Sequence, residues 1–379
     1  MEQDKLIPFN KPYIIGNELS YIADAVQYGK ISGNGKYTKR CQEFLEKIYG
    51  FKKCLMTTSC TDALEMAAIL LEIQPGDEVI MPAFTFVSTA NAFILRGAKI
   101  VFVDSKDNDP NIDETKIEAV ITKKTKAVVV VHYAGMPCNM DYIMNLATKH
   151  NLYVIEDAAQ AIDSFYNGKA LGSIGHLGTY SFHETKNIQC GEGGMLLIND
   201  EQFKARAEII WEKGTNRAAF FRGEIDKYGW VDIGSSFLPS ELNAAFLFAQ
   251  LENLEKIQNK RKAIWNTYYK KLQSLETNGY IQLFELKNTT SNGHLFYIVC
   301  KSLEERMQLI KHLREHNVHA VFHYQSLHKS NYFKDQHDGR TLENVEKFSD
   351  RLLRLPLFYE LSLQEVEKIS TIITNFYEN

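Results

Sequence analysis

No run of this 379-residue sequence is apolar over the roughly 20 residues that a membrane-crossing helix requires; the longest strand-like stretch, residues 127–131, falls far short. A surplus of positive charge is missing too. The 43 Lys and Arg stand against 47 Asp and Glu, a formal net charge of −4, which leaves nothing to neutralise a phosphate backbone and argues against nucleic acid as a partner. Paired cysteines are absent: Cys41, Cys54, Cys60, Cys138, Cys190 and Cys300 are scattered, with no CxxC spacing. They are expected to be free thiols of a reducing compartment, and no zinc site is expected. Residues 1–9 carry Glu2, Asp4 and Lys5 and lack the apolar centre of a secretory signal, so a cytoplasmic location is expected. What is there is ordinary. Apolar residues at 45% and charged residues at 24% describe a folded globular chain, and the length calls for more than one small core.

From about residue 57 to residue 199, helical and strand-like patterns alternate. Residues 62–72 set Leu64, Ala67, Ala68 and Leu71 at helical spacing, which predicts a helix with one buried face. Short apolar runs of strand length follow at 78–81, 99–103, 126–132, 152–156, 178–182 and 195–198, with helical stretches such as 87–95 and 140–150 between them. Apolar strands separated by helices predict a largely parallel sheet covered on both faces, with its ligand site at the carboxyl ends of strands. Beyond residue 199 the pattern turns helical, over 203–212 and 239–275. It then predicts strands at 294–301 and 319–324 and helices at 303–315 and 363–377. The expected architecture is α/β: a large domain over residues 1–250 on a mostly parallel mixed sheet, and a smaller C-terminal α/β domain over 251–379.

Three features fall at the ends of predicted strands. Asp157, in Glu156-Asp157-Ala158-Ala159-Gln160, closes one of them. A carboxylate there either meets a cationic or protonated partner, because an isolated buried charge is costly, or caps the next helix. Lys186, in Ser181-Phe182-His183-Glu184-Thr185-Lys186-Asn187, stands just past another strand and ahead of Gly191-Glu192-Gly193-Gly194. It is either a desolvated amine suited to a Schiff base or a solvated loop lysine. Thr58-Ser59-Cys60-Thr61-Asp62 opens the amphipathic helix, whose first N–H groups either hold an anion such as phosphate or are capped in the ordinary way. Together, a phosphate cradle, a carboxylate and a lysine on one parallel sheet are the parts that pyridoxal phosphate needs. The lysine carries the aldehyde, the carboxylate keeps the ring nitrogen protonated so that the ring draws electrons, and the helix start holds the phosphate.

The sequence that carries these residues resembles the DegT/DnrJ/EryC1/StrS sugar aminotransferases, fold-type I enzymes that depend on pyridoxal phosphate. The resemblance runs from Ile7-Pro8-Phe9-Asn10 to Arg354-Leu355-Pro356-Leu357-Phe358-Tyr359, with long matching stretches at 74–84, 86–104, 151–160 and 181–187. It implies that Lys186 is the Schiff-base lysine and also moves the proton, and that Asp157 faces the pyridinium nitrogen. It further implies Gln160 by the phenolic oxygen, Phe86 stacked on the ring, and Cys60, Thr61 and Ser181 at the phosphate. Many relatives have Gly or Ala where Cys60 stands, which implies a backbone contact there. Many also lend the phosphate an Asn from the neighbouring subunit; Leu238 occupies that place here, and Ser235 or Ser236 is expected to substitute, in a homodimer with shared active sites.

For the sugar nucleotide, the resemblance points to Ser32 and Gly33 in the loop Gly29-Lys30-Ile31-Ser32-Gly33-Asn34-Gly35, and to Glu184. It points also to Arg217, a type suited to a diphosphate, and to His323 in a C-terminal loop that includes Tyr324, Leu327 and His328. The implied reaction has two halves. L-Glutamate leaves as 2-oxoglutarate, and dTDP-4-keto-6-deoxy-D-glucose becomes dTDP-4-amino-4,6-dideoxy-D-galactose, as in enterobacterial common antigen or O-antigen synthesis. The gluco epimer, amination at C3 and a noncatalytic sensor or partner subunit stay open as alternatives. A deoxysugar dehydratase of this fold, with histidine in place of the lysine, is disfavoured by Lys186.

Overall fold

Along the apolar strands, successive side chains point to opposite sides, so runs rich in valine and isoleucine dictate a sheet that is buried on both faces. The computed structural model describes residues 6–283 and 291–378, so Glu2, Asp4 and Lys5 of the N-terminal stretch lie outside the described residues. Its strands in chain order are β1 (Lys53–Thr57), β2 (Glu78–Pro82), β3 (Lys99–Val103), β4 (Thr125–Val131), β5 (Tyr153–Asp157), the short hairpin β6 (Phe165–Tyr166) and β7 (Lys169–Ala170), β8 (Leu177–Ser181), β9 (Gly194–Ile198), β10 (Phe296–Val299) and β11 (Leu352–Leu355). The main sheet has the order β1-β9-β8-β5-β4-β2-β3. Its strands β3, β2, β4, β5 and β8 run parallel, while β9 is antiparallel to both β8 and β1. The expected mostly parallel mixed sheet is therefore present.

Alternation divides the core in two. Val79, Met81, Val129, Ile155 and Leu196 pack on one side with helix Cys60–Leu70. On the other side, Ile80, Val128, Val130 and Val154 meet helix Met140–His150, and Met56, Met195 and Leu197 meet helices Lys36–Tyr49 and Glu241–Leu251. Each such side chain, fully buried, contributes about 1.5–3 kcal/mol. The antiparallel pair β10–β11, with helices Leu254–Thr277, Leu303–Glu315 and Leu363–Glu378, packs its own apolar faces onto the first of these cores through Trp265, Phe296, Leu309 and Val366. Among the described residues no helix is long and apolar enough to cross a membrane. The cysteines are free thiols.

Three local expectations change. The helical stretch 239–275 is two helices, Glu241–Leu251 and Leu254–Thr277, because the chain turns at Asn253, whose N–H bonds Gln250 O at 3.0 Å while its own carbonyl starts the second helix. The alternating pattern at 319–324 is not a strand. Val321 alone bridges to Arg354, and the chain then leaves the sheet as His323 and Tyr324 turn to a cavity. Strands β1 and β11 were not foreseen: each is short, and each gains its place by antiparallel pairing with a distant partner.

Candidate active site

A cavity of about 590 Å³ opens at the carboxyl ends of β4, β5 and β8, where Val131, Asp157 and Ser181 line it. Strand alternation sends Glu156 and Asp157 to opposite faces of β5. Glu156 is consumed by the fold: it accepts the N–H groups of Gly172, Ile174 and Gly175 at 2.8, 2.7 and 2.6 Å and pairs with His132 Nε2 at 2.9 Å. Cys138 N–H donates to His132 Nδ1 at 3.2 Å, so the ring proton sits on Nε2 and is given to Glu156. Asp157 turns to the cavity instead. It accepts the Thr89 hydroxyl at 2.7 Å and Ala159 N–H at 3.2 Å. Burial raises its pKa above the usual carboxylate value, and Thr89, Ala159, Lys186 and His132 oppose only part of that rise. A further cation set against Asp157 would favour its ionised form.

Lys186 is positioned by the loop between β8 and β9. Phe182 N–H bonds Gly193 O at 2.8 Å, Glu184 N–H bonds Gly191 O at 2.8 Å, and Lys186 N–H bonds His183 O at 2.9 Å. The tight return places Lys186 on the cavity wall with Asp157. Burial lowers its pKa below the ordinary lysine value; Cys60 and Asp157 oppose this, and the charge of Arg354 adds to it. A lysine biased toward its neutral amine is a nucleophile.

Helix Cys60–Leu70 starts at the same wall. Ser59 caps it, accepting Asp62 N–H at 3.1 Å and donating to Asp62 Oδ2 at 2.9 Å, and Thr58 donates to the same carboxylate. The first intrahelical bond runs from Ala63 N–H to Ser59 O, which leaves the N–H groups of Cys60 and Thr61 ahead of the ladder. Gly194 makes room for this start. A Cβ there would lie 2.3 Å from the Ser59 carbonyl carbon and 2.4 Å from the Cys60 nitrogen. With Ser181 beside it, the helix start is a ready anion cradle. Burial pushes the Cys60 thiol up to about 12, and it contacts the Thr179 hydroxyl at 3.5 Å, so it is a neutral thiol at pH 7.

Of the other residues singled out in the sequence, Gln160, Phe86, Thr61 and His323 also line the cavity. Gln160 is held from both ends, accepting Ala134 N–H at 2.6 Å and donating to the Tyr324 hydroxyl at 3.1 Å. Thr61 donates to Ser88 at 2.9 Å. Phe86 is 56% exposed, just before helix Val87–Ile94. Ser32, Gly33, Glu184, Arg217 and Ser235 do not line the cavity of this chain. Ser32, Glu184, Arg217 and Ser235 are exposed, and Gly33 packs so closely on Pro239 and Leu238 that a Cβ would meet the Pro239 carbonyl oxygen at 2.5 Å. Arg217 opens the short helix Arg217–Phe221, with its guanidinium 5.1 Å from the Phe221 ring. Leu327 and His328 are buried away from the cavity.

Among the cavity residues with no role assigned from the sequence are Phe9, His294 and Arg354. His294 Nδ1 lies 2.8 Å from Asn187 Oδ1, while Asn187 Nδ2 donates to Gln258 Oε1 and Asn292 O. Nδ1 therefore carries the ring proton. Burial holds the pKa of His294 well below the usual histidine value, with Lys186 and Arg354 adding to the shift. The available signal for Arg354 was a charge inside an apolar strand, Leu352-Leu353-Arg354-Leu355.

The profile of the DegT/DnrJ/EryC1/StrS aminotransferase family matches residues 12–374. The chain belongs to this family. It is 32% identical over 377 residues to the spore coat polysaccharide biosynthesis protein SpsC of Bacillus subtilis (strain 168), covering 97% of this chain and 96% of that one. Its fold is similar to that of the aminotransferase from Psychrobacter cryohalolentis, with a TM-score of 0.91, 27% identity and coverage of 98% and 99%. It is similar also to the pyridoxal-phosphate form of Spr1654 from Streptococcus pneumoniae, with a TM-score of 0.87, 26% identity and the same coverage. The family consists of sugar aminotransferases of fold type I, and its cofactor is pyridoxal phosphate. The cavity fits that group: one wall offers an amine, a buried carboxylate and a helix start kept open by Gly194.

Proposed function

We propose that this sugar aminotransferase converts dTDP-4-keto-6-deoxy-D-glucose and L-glutamate into dTDP-4-amino-4,6-dideoxy-D-galactose and 2-oxoglutarate. The observation that carries the reading is that Lys186, Asp157 and the start of helix Cys60–Leu70 line one cavity. Pyridoxal phosphate, when bound, supplies an aldehyde that takes up the amino group and a ring that draws electrons from the substrate carbon. The N–H groups of Cys60 and Thr61, with Ser181, hold the phosphate. Phe86 covers one ring face and excludes water. Ionised Asp157 keeps a proton on the ring nitrogen, and Gln160 meets the phenolic oxygen from its fixed seat between Ala134 and Tyr324. Lys186 is the nucleophile that carries the cofactor. Once displaced, it takes the proton from the donor's α-carbon and returns one to C4 of the sugar.

The surface residues complete the site from a second copy. The segment that carries Arg217 and Ser235 exposes Phe221, Tyr228, Trp230, Val231 and Ile233, with Trp230 85% exposed. An apolar patch of this kind marks an interface. A homodimer formed through it would deliver Ser32, Gly33, Arg217 and Ser235 to the partner's cavity, with Arg217 on the diphosphate, while Glu184, between His183 and Thr185 of the cavity lining, stays at the rim of its own. The cofactor unit is taken as residues 1–250 and the smaller unit as 251–379. SpsC, named for polysaccharide biosynthesis, supports a role in surface-glycan precursor synthesis, a cytoplasmic task. The test is to incubate the enzyme with pyridoxal phosphate, L-glutamate and dTDP-4-keto-6-deoxy-D-glucose and to assign the product at C3 and C4 by NMR. A 4-amino galacto product is expected. A gluco product replaces the C4 configuration, and no amino sugar at all overturns the substrate assignment.

A further inference from the structure

Strand β11 is apolar except at Arg354, which is 7% exposed and lines the cavity. Its backbone is fixed on both sides, by pairing with Tyr297 of β10 and by bonds of 2.8 and 3.1 Å with Val321. Its guanidinium lies 4.8 Å from the Phe9 ring centroid and donates to Nδ1 of His323, while Nε has no hydrogen-bond partner. His323, pushed down to about 4 by burial and by Arg354, stays neutral and fixes the guanidinium without balancing its charge. Arg40, Arg206, Arg222 and Arg340 all have carboxylate partners; among the described residues Arg354 has none. Arg261 gives the contrast. It is equally buried, but it is spent on the carbonyls of Gly293, His294 and Leu357 at 3.0, 2.8 and 3.3 Å. Arg354 is thus a buried cation on a cavity wall, without a protein anion. Such a charge is costly until a ligand supplies one.

We propose that Arg354 is the receptor for the α-carboxylate of the amino donor, an inference that rests on the aminotransferase reading of the same cavity. Four anionic groups visit the site. The cofactor phosphate has its cradle at the helix start. The diphosphate of a nucleotide sugar lies across the sugar ring from C4, the atom that must meet Lys186. The donor's two carboxylates remain: the α-carboxylate is one bond from the carbon that must meet Lys186 and the γ-carboxylate three, and Arg354 lines the same cavity as that amine. A planar guanidinium also matches a planar carboxylate.

The test follows each half-reaction separately on cofactor-loaded enzyme. In Arg354→Gln, the L-glutamate concentration needed for half-saturation should rise about 100-fold, the scale of unpairing a buried charge. The reverse half-reaction with the amino sugar nucleotide should change less than about threefold. Calorimetry should show 2-oxoglutarate binding to the wild type and its loss in the variant. Equal damage to both half-reactions, or unchanged 2-oxoglutarate binding, overturns the proposal. Should Arg354→Gln fail to fold, Arg354→Lys decides: the preference for L-glutamate over 4-aminobutyrate, which lacks the α-carboxylate, should shrink at least about tenfold, and an unchanged preference overturns the proposal. Wild-type enzyme that binds 2-oxoglutarate through Arg354 but aminates no nucleotide sugar would instead sink the substrate assignment and leave this inference standing.

Discussion

The wall around β5 and β8 and the surface segment 213–236 both carry residues marked in the sequence, and they fold into opposite kinds of site. The wall is complete within one chain. Asp157 is seated by Thr89 and Ala159, Gln160 by Ala134 and Tyr324, and Lys186 by a loop closed on backbone hydrogen bonds. The segment holds a five-residue helix, exposed Arg217 and Ser235, and a row of exposed aromatic side chains. The difference separates two tasks. The groups proposed for pyridoxal chemistry are held inside one subunit, whereas Arg217 and Ser235, expected at the sugar nucleotide and the phosphate, lie on an exposed surface. Residues at that surface can change without disturbing the strand ends that carry Asp157 and Ser181.

The comparison breaks first if the wall is dispensable. Lys186→Ala should abolish transamination, and borohydride should no longer fix the cofactor to the chain, as read by protein mass. Asp157→Asn comes next: both half-reactions should slow by about 100-fold or more, the scale of losing a preorganised electrostatic partner. The same substitution has an opposite effect on the fold. Because burial raises the folded pKa of Asp157, the native chain binds more protons than the unfolded chain between the unfolded value, near 3.9, and the raised one, so stability falls as pH rises through that window. Cofactor-free Asp157→Asn should therefore melt no lower than wild type at pH 7, with the gap between them narrowing below about pH 4. A marked loss of stability at pH 7 would make Asp157 a structural residue like Glu156.

The parallel strands and their order of appearance were legible because each is an apolar run bounded by polar turns, and residues 99–103 and 140–150 coincide with their elements. The pattern at 319–324 misled because alternation also arises where a chain presents His323 and Tyr324 to a cavity. Asp157 and Lys186 were legible as strand-end residues. The division of labour between Glu156 and Asp157 was not, since it depends on three N–H groups from residues 172–175 that reach only one face of β5. Arg354 escaped for a related reason: a lone arginine in a strand gains meaning only when the absence of a nearby carboxylate becomes visible.

The surface half of the comparison is sharpened by mixing subunits. Arg217→Ala alone should raise the half-saturating concentration of nucleotide sugar about tenfold or more, as expected for a charge-assisted contact. At sugar concentrations too low for either homodimer to turn over, a one-to-one mixture of Lys186→Ala and Arg217→Ala subunits should recover about a quarter of wild-type activity. Random pairing makes half the dimers mixed, and each mixed dimer holds one intact site. No recovery would mean that Arg217 serves its own subunit's cavity.

Phe86 tests the boundary between the two regions, and its expected effect is the smallest. It lines the cavity, yet it is 56% exposed and adjoins Val87, 45% exposed. A ring waiting for a cofactor and a ring waiting for a second subunit look alike in one chain. Stacking is worth about 0.5–1.5 kcal/mol, so Phe86→Ala should weaken pyridoxal phosphate binding about three- to tenfold, measured by titration of the cofactor-free enzyme, and Phe86→Tyr should restore it. If Phe86→Ala instead dissociates the dimer while cofactor affinity holds, Phe86 belongs with Trp230 on the surface and is no part of the cofactor wall.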